Sequence, residues 1–406
     1  MRRLPALATT LLVLATPLAG AESATAFDED DLRQRIAAVM RQAGPRSGAY
    51  VSEAGTGRAL YRLRDTRRRI PASVQKLYTT STALLTLGPR ATLETSAIAS
   101  GGVDGLGVLH GDLVLVGHGD PYFGAVDSAR LARAVRTAGI TTIDGAVIGD
   151  EGYFDRRRAV RVNGYDGELG GVLSALAYSR GLYGGRAQLA AGRFAARRFD
   201  AELRRAGVRS SRSARAGSAP PGAVQVAAVR SSTVAELSRK VNVPSDNFAA
   251  EMLLKGVGAK LRGMGSTRSG AAVVRQTMAS VGVRPLVSDG SGLSRANRTS
   301  PRQVVRMLER VAAGDAGSAF RASLAVAGRS GTVRRRMRGT VAQDNCRVKT
   351  GTLRDVSALA GYCRARDGRE IAFALLMNGV IPSAGRALQD RIAVAIARLD
   401  SATAAP

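Results

Sequence analysis

Apolar positions along the chain fall into two spacings, and the changes between them outline the architecture. Residues from Asp31 to Ala43 repeat with helical spacing. "GAYVSEAGTGRALYRL" then reads as two strands joined by a Gly-containing turn. "SVQKLYTTSTALLTLG" is apolar enough for a buried helix ending near Gly88. From about Leu93 to Gly217 short strands ("DLVLVG", "GAVIGD") alternate with helices ("DSARLARAVRTAGI", "GRFAARRFDAELRRAGV"). "SSRSARAGSAPPGA" has the composition of a linker out of that region. Long helices return after Val224, in "TVAELSRKV", "SDNFAAEMLLKGVG" and "SPRQVVRMLERVAAG". "RVKTGTL", "SALAGYCRA" and "EIAFALLMNG" follow as strands of a sheet core. In the final helix Leu388, Ile392, Ile396 and Leu399 share one face, a packing face whose opposite side is too thin in cations for a membrane-lying helix. The pattern predicts an α+β domain over 22–92 and 218–400, interrupted by an inserted α/β region over 93–217, with 401–406 as a disordered tail.

The first residues place the chain outside the cytoplasm. Arg2 and Arg3 precede an apolar run from Leu4 to Leu18, and Ala19-Gly20-Ala21 offers a small-residue cleavage site. The run is shorter than the ~20 residues a membrane span needs. A signal peptide over 1–21 is expected, leaving an exported, soluble protein in the periplasm or another extracytoplasmic space.

Charge adds little to function. The formal net charge is +28, yet the cations lie in scattered clusters such as Arg67–Arg69 and Arg334–Arg336, without interleaved aromatics on which bases would stack. No nucleic-acid partner is expected; peripheral attraction to an anionic wall or membrane surface is. His110 and His118, the only histidines, have no partner at zinc spacing, so neither metal nor cofactor is expected.

Of the 60 Lys+Arg residues only five are lysines, and two of them fall in short motifs. Ser73-Val74-Gln75-Lys76, Ser245-Asp246-Asn247 and Lys349-Thr350-Gly351 occur in that order. Each is weak alone; together they match the set shared by active-site serine penicillin-recognising enzymes. Serine needs a base to become a nucleophile. Lysine can serve if burial and a neighbouring cation such as Lys349 bring its pKa down from about 10.4, whereas arginine is not deprotonated in proteins. At a helix start, Ser73 lies where the dipole favours an oxyanion, and the three-residue step puts Lys76 on the same face. Ser245 is expected to relay a proton to the leaving amine and Asn247 to hold the substrate amide. Lys349 and Thr350 would bind a carboxylate, and Gly351 would leave room for substrate along the strand. Backbone N–H groups of Ser73 and Thr352 would form the oxyanion hole.

The chain resembles the D-alanyl-D-alanine carboxypeptidase/endopeptidase group, the class C low-molecular-mass penicillin-binding proteins of penicillin-binding protein 4 (DacB-like) type. "RRIPASVQKL", "HGDLVLVGHGDPYF", "PSDNFAAEMLLKGVG", "SDGSGLSRANRTSP" and "CRVKTGTLRDVSALAGYC" carry the resemblance over most of the mature chain. It implies a penicillin-binding transpeptidase fold, a five-stranded antiparallel sheet flanked by helices. It also implies an acyl-enzyme on Ser73 formed from peptidoglycan stem peptides ending in D-Ala-D-Ala, and acylation of the same serine by β-lactams. In the family an acidic residue of the "GDP" loop contacts the amine of the stem peptide's diamino acid, which points to Asp120; the alternative is that Asp120 caps the turn before Pro121. Cys346 and Cys363 fit a cross-strand disulfide bracing the KTG strand, if "RVKTGT" and "VSALAGY" pair about a turn near Leu353 to Asp355.

The chain also departs from the family. Ser73 and Ser245 are only 172 positions apart, short for the full insertion, and "LSALAYSRGLYGG" lacks the Asn usual late in that region. Two other readings remain open: a class A-like β-lactamase, although Glu168 is followed by "LGG" and not by the E-x-x-L-N loop of that class, and a β-lactam sensor or wall-binding protein with little turnover.

Overall fold

The computed structural model describes residues 27–400, so the expected leader and the tail at 401–406 lie outside the described residues. Helix α1 (Glu29–Gln42) starts at Asp28, whose carboxylate accepts the N–H groups of Asp30 and Asp31. The hairpin β1 (Gly48–Glu53) and β2 (Ala59–Leu63) follows, then one 3-10 turn (Ala72–Val74) running into α2 (Gln75–Leu87). Next come β3 (Glu94–Ala99), β4 (Val108–Leu109), β5 (Leu113–Gly117), α3 (Ala125–Thr137) and β6 (Thr142–Asp150). After them are a short hairpin, β7 (Leu182–Tyr183) and β8 (Arg186–Ala187), then α4 (Ala191–Arg205), β9 (Arg209–Ala216) and β10 (Val224–Arg230). Helices α5 (Val234–Asn242), α6 (Asn247–Arg262), α7 (Thr267–Ser280), α8 (Pro301–Ala312) and α9 (Gly317–Ala322) precede the two-residue β11 (Ala325–Val326). Strands β12 (Cys346–Leu353), β13 (Val356–Arg364) and β14 (Glu370–Asn378) and helix α10 (Pro382–Arg398) complete the chain.

The main sheet runs β11-β12-β13-β14-β1-β2, antiparallel throughout: the five strands expected plus the short β11 at the edge. Period-two alternation divides its two faces. On β14, Ile371, Phe373, Leu375 and Met377 pack in the layer of α1 and α10. The intervening Ala372, Ala374 and Leu376 pack in the layer of α2, α7 and α8, where small residues let helices approach closely. Leu388, Ile392, Ile396 and Leu399 all lie in the first layer, as their shared face predicts.

The second sheet runs β10-β3-β5-β6-β4, with β9 also paired to β6. Strand β6 is parallel to β4, β5 and β9, and α3 and α4 contribute to the core beneath it. This sheet continues beyond residue 217, because β10 pairs with β3 from Val224 to Arg230. Likewise, the first part of the expected linker is β9. Its side chains are largely exposed, so no apolar alternation marks it as a strand.

Candidate active site

Ser73 lies in the 3-10 turn that leads into α2, partly exposed, with Lys76 on the following helical turn and fully buried. The turn is entered through Ala72 in the left-handed region, φ +48°, a conformation that must be imposed by its surroundings. Two glycines let neighbouring segments press on it: a Cβ on Gly292 would collide with the Ala72 carbonyl oxygen, and one on Gly351 would lie 2.6 Å from the Pro71 oxygen. Lys76 Nζ is 2.9 Å from Ser73 Oγ, 2.6 Å from Asn247 Oδ1 and 2.6 Å from the Ser291 carbonyl oxygen. Burial lowers the Lys76 pKa to about 8, against the opposing pull of Asp289, Glu251 and Asp246. Burial, and secondly the charge of Lys76, push Lys349 well below its ordinary value, so the two lysines oppose each other's protonation.

Ser245 also has a left-handed backbone, φ +66°, and its Oγ accepts from Lys349 Nζ at 2.8 Å. Asp246 caps α6 by accepting the Ala249 N–H. The same carboxylate is held from the inserted region: Arg180 donates to both oxygens, at 2.7 and 2.8 Å, and the Tyr122 hydroxyl lies 3.3 Å away. The Asn247 amide donates to the Glu168 carbonyl oxygen at 2.7 Å. Its oxygen already accepts from Lys76, so both ends of the side chain assigned to a substrate amide have partners here.

Strand β12 carries the third motif. Lys349 is fully buried and also donates to the Thr350 carbonyl oxygen at 2.9 Å, while Thr350 Oγ1 bonds to Thr332 Oγ1 at 2.8 Å. A Cβ on Gly351 would press against Pro71 and Ala72, so the missing side chain serves close packing against the turn that holds Ser73. Thr352 is exposed and lines, with Asn247, Arg161, Glu168, Arg295 and Arg354, a cleft of about 990 Å³. A larger groove of about 1120 Å³ between α1 and α10 contains none of the motif residues. At the start of β12, Cys346 is disulfide-bonded to Cys363 directly opposite on β13, with Cα atoms 4.1 Å apart; the hairpin turns at Arg354-Asp355.

The three motifs thus converge; Asp120 lies in the turn of Tyr122, whose hydroxyl is 3.3 Å from Asp246. The Asp120 carboxylate accepts the Tyr122 N–H at 2.9 Å within its own turn, and burial raises it to about 6. Sequence reasoning missed Arg180, Glu251, Asp289 and Ser291. The last three lie inside quoted blocks, but only the fold reveals that they surround Lys76. Among the described residues no group of three or more His, Cys, Asp or Glu side chains is placed to hold a metal, and no helix is long and apolar enough to cross a membrane.

A nucleophile-bearing helix start, a buried lysine and a second Lys–Ser pair joining β12 to the turn before α6 define a serine acyl-transfer hydrolase of the penicillin-binding class. The chain belongs to the D-Ala-D-Ala carboxypeptidase 3 (S13) family, whose model matches residues 31–166 and 176–399. It is 29% identical to a D-alanyl-D-alanine carboxypeptidase of Actinomadura sp. strain R39, over 97% of this chain and 89% of that one. It is 31% identical to the carboxypeptidase DacB of Mycolicibacterium smegmatis, over 85% and 79% respectively. The fold is similar to that of penicillin-binding protein 4 from Haemophilus influenzae, with a TM-score of 0.75 at 19% identity over 88% of this chain and 97% of that one. It is also similar to a predatory endopeptidase of Bdellovibrio bacteriovorus, with a TM-score of 0.59 at 17% identity over 87% and 93%.

Proposed function

We propose that this protein is an exported serine D-alanyl-D-alanine carboxypeptidase that trims peptidoglycan stem peptides and is acylated by β-lactams. The observation that carries this reading is the 2.9 Å contact between partly exposed Ser73 Oγ and buried Lys76 Nζ. Neutral Lys76 takes the Oγ proton as Oγ attacks the carbonyl carbon of the penultimate D-alanine. The backbone N–H groups of Ser73 and Thr352 receive the charge that develops on the carbonyl oxygen. As the C–N bond breaks, Ser245, hydrogen-bonded to Lys349, gives its proton to the departing D-alanine amine and is reprotonated with the proton that Lys76 took from Oγ, which returns Lys76 to the neutral form. Water then hydrolyses the Ser73 ester. Lys349, Thr350 and Thr352 suit the terminal carboxylate, with Lys349 recovering its proton when an anion enters.

The same chemistry on a cross-linked peptide is DD-endopeptidase action. Asp120 as a contact for the diamino acid's amine remains part of this proposal, although its bond to Tyr122 supports the turn-capping role. The net positive charge supports peripheral attraction to anionic wall or membrane surfaces. A class A-like β-lactamase mechanism is disfavoured because the Glu168 carboxylate is 64% exposed and ion-paired with Arg161, while only its backbone reaches Asn247.

The test is release of D-alanine from a D-Ala-D-Ala-terminated pentapeptide. Ser73→Ala is expected to abolish it together with covalent penicillin labelling. Labelling by penicillin with no D-alanine release from the parent protein indicates a sensor, and rapid penicillin hydrolysis a β-lactamase.

A further inference from the structure

Glu251 is a buried carboxylic acid that the mechanism above does not use. It follows Asn247 by four residues on α6, so the two side chains project from the same helix face, one turn apart. Asn247 touches Lys76 directly. Glu251 instead accepts, through Oε1, the N–H groups of Gly290 at 2.9 Å and Ser291 at 2.7 Å. Those two bonds fix the loop whose Ser291 carbonyl oxygen lies 2.6 Å from Lys76 Nζ.

The rest of the loop is tied as closely. Thr79 on α2 donates to the Gly290 carbonyl at 2.8 Å. Asp289 accepts the N–H groups of Gly292 and Ser294, and Asn297 donates to it at 2.7 Å. Glu251 supplies the connection from α6, and that connection bears on the proton on Lys76. A neutral amine has two N–H bonds and one lone pair. A backbone carbonyl oxygen can only accept, so the Ser291 oxygen must take one N–H. Asn247 Oδ1, held with its NH₂ group toward the Glu168 carbonyl, takes the other. The lone pair is then left for the third neighbour, Ser73 Oγ.

We propose that Glu251 is a positioning residue for acylation: by holding the Gly290–Ser291 backbone it aims the Ser291 carbonyl at Lys76, and thereby turns the lone pair of neutral Lys76 toward Ser73. This inference rests on the reading of Lys76 as the base. Its working part is one acceptor oxygen rather than a negative charge. Oε2 has no hydrogen-bond partner among the described residues, and burial, with Asp289 second, pushes the carboxyl above its ordinary range toward the neutral acid. Glutamine is the isostere of that neutral acid.

The experiment compares Glu251→Gln, which keeps an acceptor oxygen, with Glu251→Met, which keeps the length and loses it. Acylation by a chromogenic cephalosporin is followed under single-turnover conditions, resolving non-covalent affinity from the acylation rate constant. The expected result is a rate constant within about fivefold of the parent for Glu251→Gln and roughly 100-fold lower for Glu251→Met, with affinity unchanged in both. Thermal melts establish that each variant is folded. If Glu251→Met does not fold, Glu251→Asp, whose carboxyl is drawn back by one methylene, serves in its place, with a drop of about tenfold in the same constant. A folded Met or Asp variant acylating at the parent rate overturns the proposal, as does a Gln variant as slow as Met. Lys76→Ala is measured alongside: if it acylates normally, the reading of Lys76 as base fails; if only the Glu251 variants acylate normally, this inference alone fails.

Discussion

Arg180 and Asp246 form a two-armed ion pair across the junction between the inserted region and the catalytic domain, with N–O distances of 2.7 and 2.8 Å. Asp246 lies between Ser245 and Asn247, and Arg180 also donates to the Gly170 carbonyl and stacks over Phe248. The insertion therefore holds the middle residue of the second motif, whose neighbour Ser245 has a left-handed backbone. We expect Arg180→Ala to lower stability by about 1–3 kcal/mol, since it leaves a mostly buried carboxylate without its charged donor. The acylation rate should fall by roughly tenfold, with Arg180→Lys in between because an ammonium cannot reproduce the planar fork. Denaturant titration and stopped-flow acylation measure the two effects; an Ala variant with parent kinetics would show that the insertion does not position the turn.

Much of this was legible in the residues themselves. The alternation in "EIAFALLMNG" and the helical spacing of Leu388, Ile392, Ile396 and Leu399 specify opposite sides of one packing layer. The residue types at 73, 76, 245, 247 and 349 follow from what acyl transfer requires. Other features depend on long-range contacts that leave no local signature. Strand β9 is exposed and rich in Ser and Arg, so only its pairing with β6 identifies it. The Cβ side of Gly351 faces Pro71, 280 positions earlier, a close approach that no local pattern announces. Ser291 acts through its carbonyl, which every residue type possesses, and Glu251 reads as an ordinary helix former until its burial is seen.

The lowered pKa of Lys76 gives acylation a defined pH dependence. The base form is the neutral amine, so the rate rises as pH rises through about 8 and falls tenfold per unit below it. At pH 7 roughly one molecule in ten then carries a neutral Lys76, against about one in a few thousand for an unshifted lysine. Lys76→Arg keeps the charge and should abolish acylation at every pH up to 10, because the guanidinium stays protonated. Single-turnover acylation between pH 5.5 and 10 reads both. A flat profile for the parent, or an active Arg variant, contradicts the assignment of Lys76 as base.

Gly351→Ala separates two uses of the same missing side chain. If the gap served substrate, the added methyl would weaken non-covalent binding and leave the protein's stability alone. The new Cβ instead falls 2.6 Å from the Pro71 oxygen and 3.2 Å from the Ala72 Cβ, against the turn that holds Ser73. Backbone in that position cannot swing aside as the end of a side chain does. We expect a stability loss of about 1–3 kcal/mol and a fall of at least roughly tenfold in the acylation rate constant. The signature is that both change while non-covalent affinity does not; the reverse pattern returns Gly351 to substrate binding.

The disulfide between Cys346 and Cys363 should matter to stability more than to chemistry. It joins directly opposed residues at the end of the β12–β13 hairpin away from its turn and closes a separation of 17 residues. A cross-link of that span restricts the unfolded chain by about 3 kcal/mol in the loop-entropy model. Lys349 is only three residues from Cys346, but it is fixed independently of the bridge. Its Nζ bonds to Ser245 and to the Thr350 carbonyl, and its backbone lies in register with Ala360. We therefore expect the double variant Cys346→Ala, Cys363→Ala to melt roughly 3–5 °C below the oxidised parent, the shift that about 3 kcal/mol implies for a chain of this size. Its acylation rate at 25 °C should stay within about threefold. Calorimetry of the oxidised parent, the reduced parent and the double variant tests this, with the latter two expected to coincide. Unchanged melting in both would mean that the bridge restrains nothing the folded strands do not already hold, and a large loss of acylation at unchanged melting would make it a brace for Lys349.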